Sequence, residues 1–268
     1  MLLFDRKIKL ITSSGVVYDS SDGVIIRFKY TTMDDTGIPV AEIEIKNLSR
    51  ELRKKIVEEE ATLYIAYGNY SGELVKGDIK EIDLTDEPNV SFDLISNADM
   101  FSKEFTCFYA IGSREDYIVR DMARNNGFTV QGENQLTVSH PNGYMVNGNV
   151  LQNITKICRN RGLDVTTKGT TIIIYKPDKT IETEKLNGIV YLSPTTGLTN
   201  CLKYSSKDET DSEKYDYVVF SLPIPGLTQG DLLQIEHDNF NGRCKIIDFK
   251  ISGQSNWKAE YYVKVVDG

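Results

Sequence analysis

From Glu42 onward the chain first alternates and then changes period. Ile43 and Ile45 face one way and Glu42, Glu44 and Lys46 the other, the two-residue repeat of a half-buried strand. Asn47-Leu48-Ser49 ends that strand and offers polar caps, and Leu48, Leu52 and Ile56 recur at every fourth position. This predicts a short helix with one narrow apolar stripe, its other surface carrying Arg50, Arg53, Lys54, Lys55 and Glu58 to Glu60. Such a helix is marginal alone and must lie on something. Strands at Ile8–Thr12, Val24–Tyr30, Ala41–Lys46, Leu63–Tyr67, Leu74–Leu84 and Val90–Ile95 complete a small barrel over residues 1–98. A slip in the alternation between Ile79 and Ile82 predicts a bulge, and turns are expected at Asp34–Gly37, Gly68–Gly72 and Thr85–Asn89.

Over residues 99–190 the period becomes helical, and a motif occurs twice. Met122, Arg124, Asn125, Gly127, Phe128 and Val130 superpose on Ile157, Arg159, Asn160, Gly162, Leu163 and Val165. Each copy reads as helix, glycine stop and strand, since a helix ends at least cost in a left-handed glycine. Arg124 and Arg159 sit in last helical turns, where cations complement the dipole. Two copies are too few for a solenoid, so they form one α/β subdomain with the strand Thr171–Tyr175 before Pro177.

Residues 191–268 return to strands. Residues 207–216 are charged and poor in apolar side chains, which predicts a loop. Asn142-Gly143, Asn147-Gly148, Asn187-Gly188 and Asn241-Gly242 are turn dipeptides, the last expected to join Leu232–Glu236 to Cys244–Phe249 as a hairpin.

The strand before Asn47, the Asn47-Leu48-Ser49 stop, the short helix, the Ala66-Tyr67-Gly68 turn and the Gly77-Asp78-Ile79 strand together resemble the first domain of phage baseplate or tail-tip hub proteins. Asp22–Phe28 fits the strand preceding that motif. Leu222–Pro225, the run Gly226–Ile235, the hairpin and Trp257 are similar to the family's second barrel. The likeness implies an α+β, mainly β fold: two small tail-tube-like β-barrels (1–98 and 191–268) flanking an α/β insertion (99–190). It further implies a homotrimeric ring adapting a hexameric tail tube to a trimeric central spike, with other baseplate proteins as further partners. Its expected place is a virion or tail-like particle, assembled from chains made in a bacterial cytoplasm. The expected working surfaces are the barrel edges and the helix after Asn47, with Asn47, Leu48, Arg53 and Ile56 as interface residues.

Composition narrows the chemistry. The formal net charge of −8 lacks the basic footprint of a nucleic-acid binder, so no sequence-specific nucleic acid is expected, though DNA passing through a ring is compatible with it. Ten Phe and fifteen Tyr against one Trp favour pleated, half-buried surfaces. Cys107, Cys158, Cys201 and Cys244 include no close-spaced pair of the kind zinc needs, and read as separate buried thiols. The amino terminus is too short in apolar residues for a signal peptide, and no stretch reaches the ~20 of a membrane span, so no membrane is expected.

His140 and His237 both read as surface-turn residues without a nucleophile beside them. No catalytic, metal or cofactor-binding residue is singled out, and no cofactor is implied. The enzymatic alternative is a tail-associated peptidoglycan hydrolase using a carboxylate pair drawn from Asp93, Asp99 and Glu104. Larger relatives of hub proteins carry such a domain after the second barrel, and a chain stopping at Gly268 is expected to leave no room for it. Another tail component, such as a distal tail protein, is the remaining alternative.

Overall fold

The computed structural model describes residues 6–32, 39–67, 70–85, 88–96, 102–168, 170–176, 189–205, 214–253 and 256–266. The turns expected at Asp34–Gly37 and Gly68–Asn69, Asn187-Gly188, Pro177, Asp99 and residues 207–213 lie outside these. The chain divides into two compact units, one drawn from Met1–Thr32, Pro39–Ser96 and Glu182–Gly268, the other from Met33–Ile38 and Asn97–Ile181.

In the first unit the amino-terminal strands are β1 (Lys7–Thr12), β2 (Val17–Asp19), β3 (Ile25–Thr32) and β4 (Pro39–Lys46). One helical turn, α1 (Arg50–Arg53), precedes β5 (Glu60–Tyr67), β6 (Tyr70–Asp83) and β7 (Val90–Ile95). Every expected strand is present, and β2 is an addition. The expected bulge lies where the β6–β7 register shifts between Lys80 and Asp83, with Glu81 left-handed at φ 52°. The helix is shorter than the apolar spacing suggested. After Arg53 the backbone bonds tighten from four-residue to three-residue spacing (Lys55 N to Leu52 O, Ile56 N to Arg53 O), which ends the α-helix while still turning Ile56 inward.

The second unit holds β8 (Glu104–Tyr109), α2 (Glu115–Asn125), β9 (Thr129–Gln131), β10 (Tyr144–Asn149), α3 (Val150–Arg159), β11 (Asp164–Lys168) and β12 (Thr171–Tyr175). Both helix–glycine–strand copies form: Gly127 and Gly162 stand at φ 83° and 65°, and β9 and β11 flank β12 in one sheet. The apolar stripes of α2 and α3 (Ile118, Val119, Met122; Ile154, Ile157, Cys158) are buried in one core. Asn147-Gly148 is not a turn. It lies inside β10, opposite Thr106 and Phe105, where pairing with β8 overrides the local preference.

The unit is cross-tied by Glu115, 2% exposed at the start of α2. Its carboxylate accepts from Arg161 Nε and Nη2 at 2.9 and 2.7 Å, and His140 Nε2 lies 3.2 Å away. His140, expected on a free surface turn, is therefore half-buried, its ring 4.3 Å from that of Tyr144. One buried acid thus joins the start of α2, the segment after α3 and the turn before β10.

The chain then re-enters the first unit with β13 (Val190–Leu192), β14 (Leu198–Lys203), β15 (Tyr217–Ser221), β16 (Leu232–His237), β17 (Phe240–Gly253) and β18 (Lys258–Val265). The expected hairpin exists as β16–β17, but its turn is Asp238-Asn239, closed by the His237–Phe240 pair. Asn241-Gly242 continues the ladder instead, and the Phe240 ring lies over Gly242, 3.1 Å from where a Cβ would stand. Amino-terminal and carboxy-terminal strands belong to one 13-stranded sheet and one core, joined where Lys250–Gly253 of β17 pairs with Phe28–Thr31 of β3.

Two stability outcomes follow from these contacts. A Cβ at Gly253 stands 2.1 Å from Phe28 Cε1, so Gly253→Ala is expected to cost about 2 kcal/mol in denaturant unfolding. Glu115→Ala removes the charge-assisted bonds from the partly exposed Arg161 and is expected to cost about 2 kcal/mol, with amide exchange rising in α2 and α3. A double-mutant cycle with Arg161→Ala measures how much of that is the pair itself.

Candidate assembly surface

The first unit is built twice from one plan. In space the strands run β3-β4-β7-β6-β5, and the same order recurs as β14-β15-β18-β17-β16. In each module a first pair of strands is followed by a crossover, then a hairpin, then a return strand inserted between the two pairs. The crossover is the α1 segment in one and the Pro223–Asp231 corner in the other. Each has a fourteen-residue strand, β6 or β17, that loses register against its return strand.

The modules meet side by side through β17 and β3. Trp257 lodges between the Phe28 and Tyr67 rings at centroid distances of 6.1 and 5.9 Å, with the Arg6 guanidinium 5.7 Å above it. The Tyr30 and Phe249 rings meet at 4.8 Å, and Thr32 Oγ1 donates to Asp248 Oδ1 at 3.1 Å. Edge-on aromatic packing adds to the area these rings bury.

The outward face of the sheet is polar and of mixed sign. Following the register across strands, Lys258, Ser252, Lys29, Glu42, Asp93 and Lys80 stand in one row. Lys29 pairs with Glu42 at 2.8 Å and Arg27 with Glu44 at 3.3 Å, around a shallow depression of about 470 Å³ that Glu81 and Asp93 also line. Burial, then Glu81 and Glu42, raise the Asp93 carboxyl above its ordinary range, with Lys29 opposing. Asp93 belongs to this face, whereas Glu104 opens β8 in the other unit.

Of the four residues expected at an interface, Leu48 and Ile56 are buried within the chain's own core. Asn47 is exposed, and Arg53 is half-buried, its guanidinium donating to the Leu84 carbonyl. Ser49 caps α1 by accepting from Leu52 N at 3.2 Å, and Tyr18 donates its hydroxyl to Leu52 O at 3.1 Å. The α1 segment is therefore held from both sides.

His237 Nδ1 accepts from Asn239 N at 3.2 Å, closing the hairpin tip. Burial pushes the Cys201 thiol up to about 11 and, with Glu115 and Asp164, the Cys158 thiol up to about 12, so little reactive thiolate forms at either. Among the described residues no group of three or more His, Cys, Asp or Glu side chains is placed to hold a metal ion.

Tyr18 carries a pH signature. Burial, then Glu59, push its phenol up to about 12 from an ordinary 10. The folded state favours the protonated form, so this contribution is complete below pH 10 and is lost as pH rises from 10 through 12. Tyr18→Phe is expected to flatten that alkaline fall in melting temperature, while leaving a deficit at pH 7 from the lost bond to Leu52.

No family model matches the chain, and no curated protein matches its sequence. Solved structures do match in fold. The 43 kDa tail protein of prophage MuSo2 from Shewanella oneidensis superposes with a TM-score of 0.60 at 9% identity, covering 97% of this chain and 98% of that one. A tail protein from Neisseria meningitidis gives 0.56 at 9% identity, with 97% of each chain covered. An Escherichia coli protein, described as a type VI secretion component with structural similarity to T4 bacteriophage tail proteins gp27 and gp5, gives 0.60 at 11% identity over 91% of this chain and 74% of its own. The likeness is one of fold: this chain has the mainly β, α+β architecture of these tail proteins.

Proposed function

We propose that this chain is a structural hub of a phage tail or tail-like particle: a homotrimeric ring that seats on a six-fold tail tube and carries a three-fold spike. The observation that carries the reading is the strand order stated twice in one chain. Three copies of a two-module chain present six similar modules, while the chain as a whole repeats three times. Such an object meets a six-fold partner on one side and a three-fold partner on the other, and cyclic closure covers strand edges that a single copy leaves open. The fold shared with tail proteins supports the same setting. In this reading the two modules are the tube-like domains and the α/β unit is an insertion between them. The exposed part of the segment after Asn47 serves as a contact with the neighbouring tube or baseplate.

The mixed-sign sheet face suits a channel wall. Adjacent Lys–Glu pairs cancel at short range, so a polyanion passing along it meets no continuous basic strip to hold it. The role is structural, and no turnover is assigned to it.

Light scattering on the purified chain is expected to give a mass near three times 30.3 kDa, with ring-shaped particles in negative stain of the same peak. A monomer that fails to trimerise even with its spike partner would overturn the hub reading.

A further inference from the structure

The in-chain junction shows how one module receives the next, and among the described residues the counterpart positions carry no such junction. The two modules align through their return strands. Ile79 pairs with Leu94 as Ile246 pairs with Val263; past the irregularity, Asp83 pairs with Ser91 as Lys250 pairs with Glu260. Asp83 therefore corresponds to Lys250, and Leu84 to Ile251. On the receiving side Leu94 pairs with Ala41 and Ala41 with Tyr30, as Val263 pairs with Tyr217 and Tyr217 with Lys203. Tyr30 therefore corresponds to Lys203.

Within the chain Ile251 sits opposite Tyr30 and is fully buried, at 0% exposure. Its counterpart Leu84 is 41% exposed. The counterpart of the receiving strand β3 is β14, the terminal strand of the sheet path. Beside the end of β14 lies a cavity of about 360 Å³, lined among the described residues by Lys203, Tyr204, Tyr215, Asp216, Tyr217 and Val265. An exposed leucine and an aromatic-walled hollow thus occupy the two positions that the repeat assigns to one contact.

We infer that Leu84 of one copy enters the cavity beside Lys203 and Tyr204 of the next, joining copies head to tail. The inference rests on the ring reading above and names its closing contact. It is heterologous, as a closing ring requires, since the corner after β6 and the outer edge of β14 are different surfaces of the chain. The donating corner is pinned in advance: Arg53 donates to the Leu84 carbonyl, and Asp83 accepts from the Thr85 amide at 2.8 Å and hydroxyl at 2.7 Å. β6 ends at Asp83 where β17 runs on to Gly253, so this contact depends on the leucine more than on a long backbone ladder.

The test pairs a cross-link with a weakening variant, both in the full chain. Residues opposed across neighbouring strands stand within disulfide reach, so Leu84→Cys with Lys203→Cys is expected to give covalent dimers and trimers on oxidation, absent from either single variant. Leu84→Arg is expected to weaken self-association at least about tenfold in sedimentation without lowering the melting temperature of the dissociated chain. If a trimer forms but the double-cysteine variant does not cross-link and Leu84→Arg associates normally, the Leu84 contact is wrong and the ring survives. If no oligomer forms with or without the spike partner, the ring reading fails and takes this contact with it.

Discussion

The close approach of β17 to β3 is the constraint on which the first unit depends. Gly253 lets the Phe28 ring lie where a side chain would stand, and Trp257 fills the space between Phe28 and Tyr67. This contact turns two open five-strand modules into one sheet with one core. Without it each module leaves a strand edge beside exposed aromatic rings, a poor state for an isolated small sheet.

The same geometry links stability to assembly. In the proposed ring, the junction made once inside the chain is the template for the junctions between chains, because the strand that receives and the corner that donates each occur twice. The inward faces are committed to the core, whereas the outward row is polar and of mixed sign. Core packing and surface charge therefore occupy opposite faces of the same strands, which a two-residue period allows.

The second unit is organised differently. Its helices pack apolar stripes into a separate core, and Glu115 accepts charge-assisted bonds from Arg161 with His140 packed 3.2 Å away. Arg161 and His140 draw on that carboxylate from different segments. Nothing in the periodicity marks it, because a lone Glu at a helix start reads equally well as a partner for the dipole.

Much was nonetheless legible in the sequence. Alternation placed the strands of the first module, the slip after Ile79 located its bulge, and Gly127 and Gly162 marked two helix ends, since each of these is set by neighbours along the chain. What failed was also local. Asn147-Gly148 and Asn241-Gly242 have turn chemistry, yet both lie in ladders because pairing and an overlying Phe240 ring outweigh a dipeptide preference. Leu48 and Ile56 showed their apolar spacing but not their destination, which is the chain's own core. By itself the sequence determined where the strands of the first module and the two longer helices form and which of their faces are apolar, because those depend on side-chain period and backbone preference. Only the tertiary structure decided that two modules share one sheet, that Leu84 is left exposed where Ile251 is buried, and that Glu115 lies against Arg161 and His140, because each depends on contacts between residues far apart in the chain.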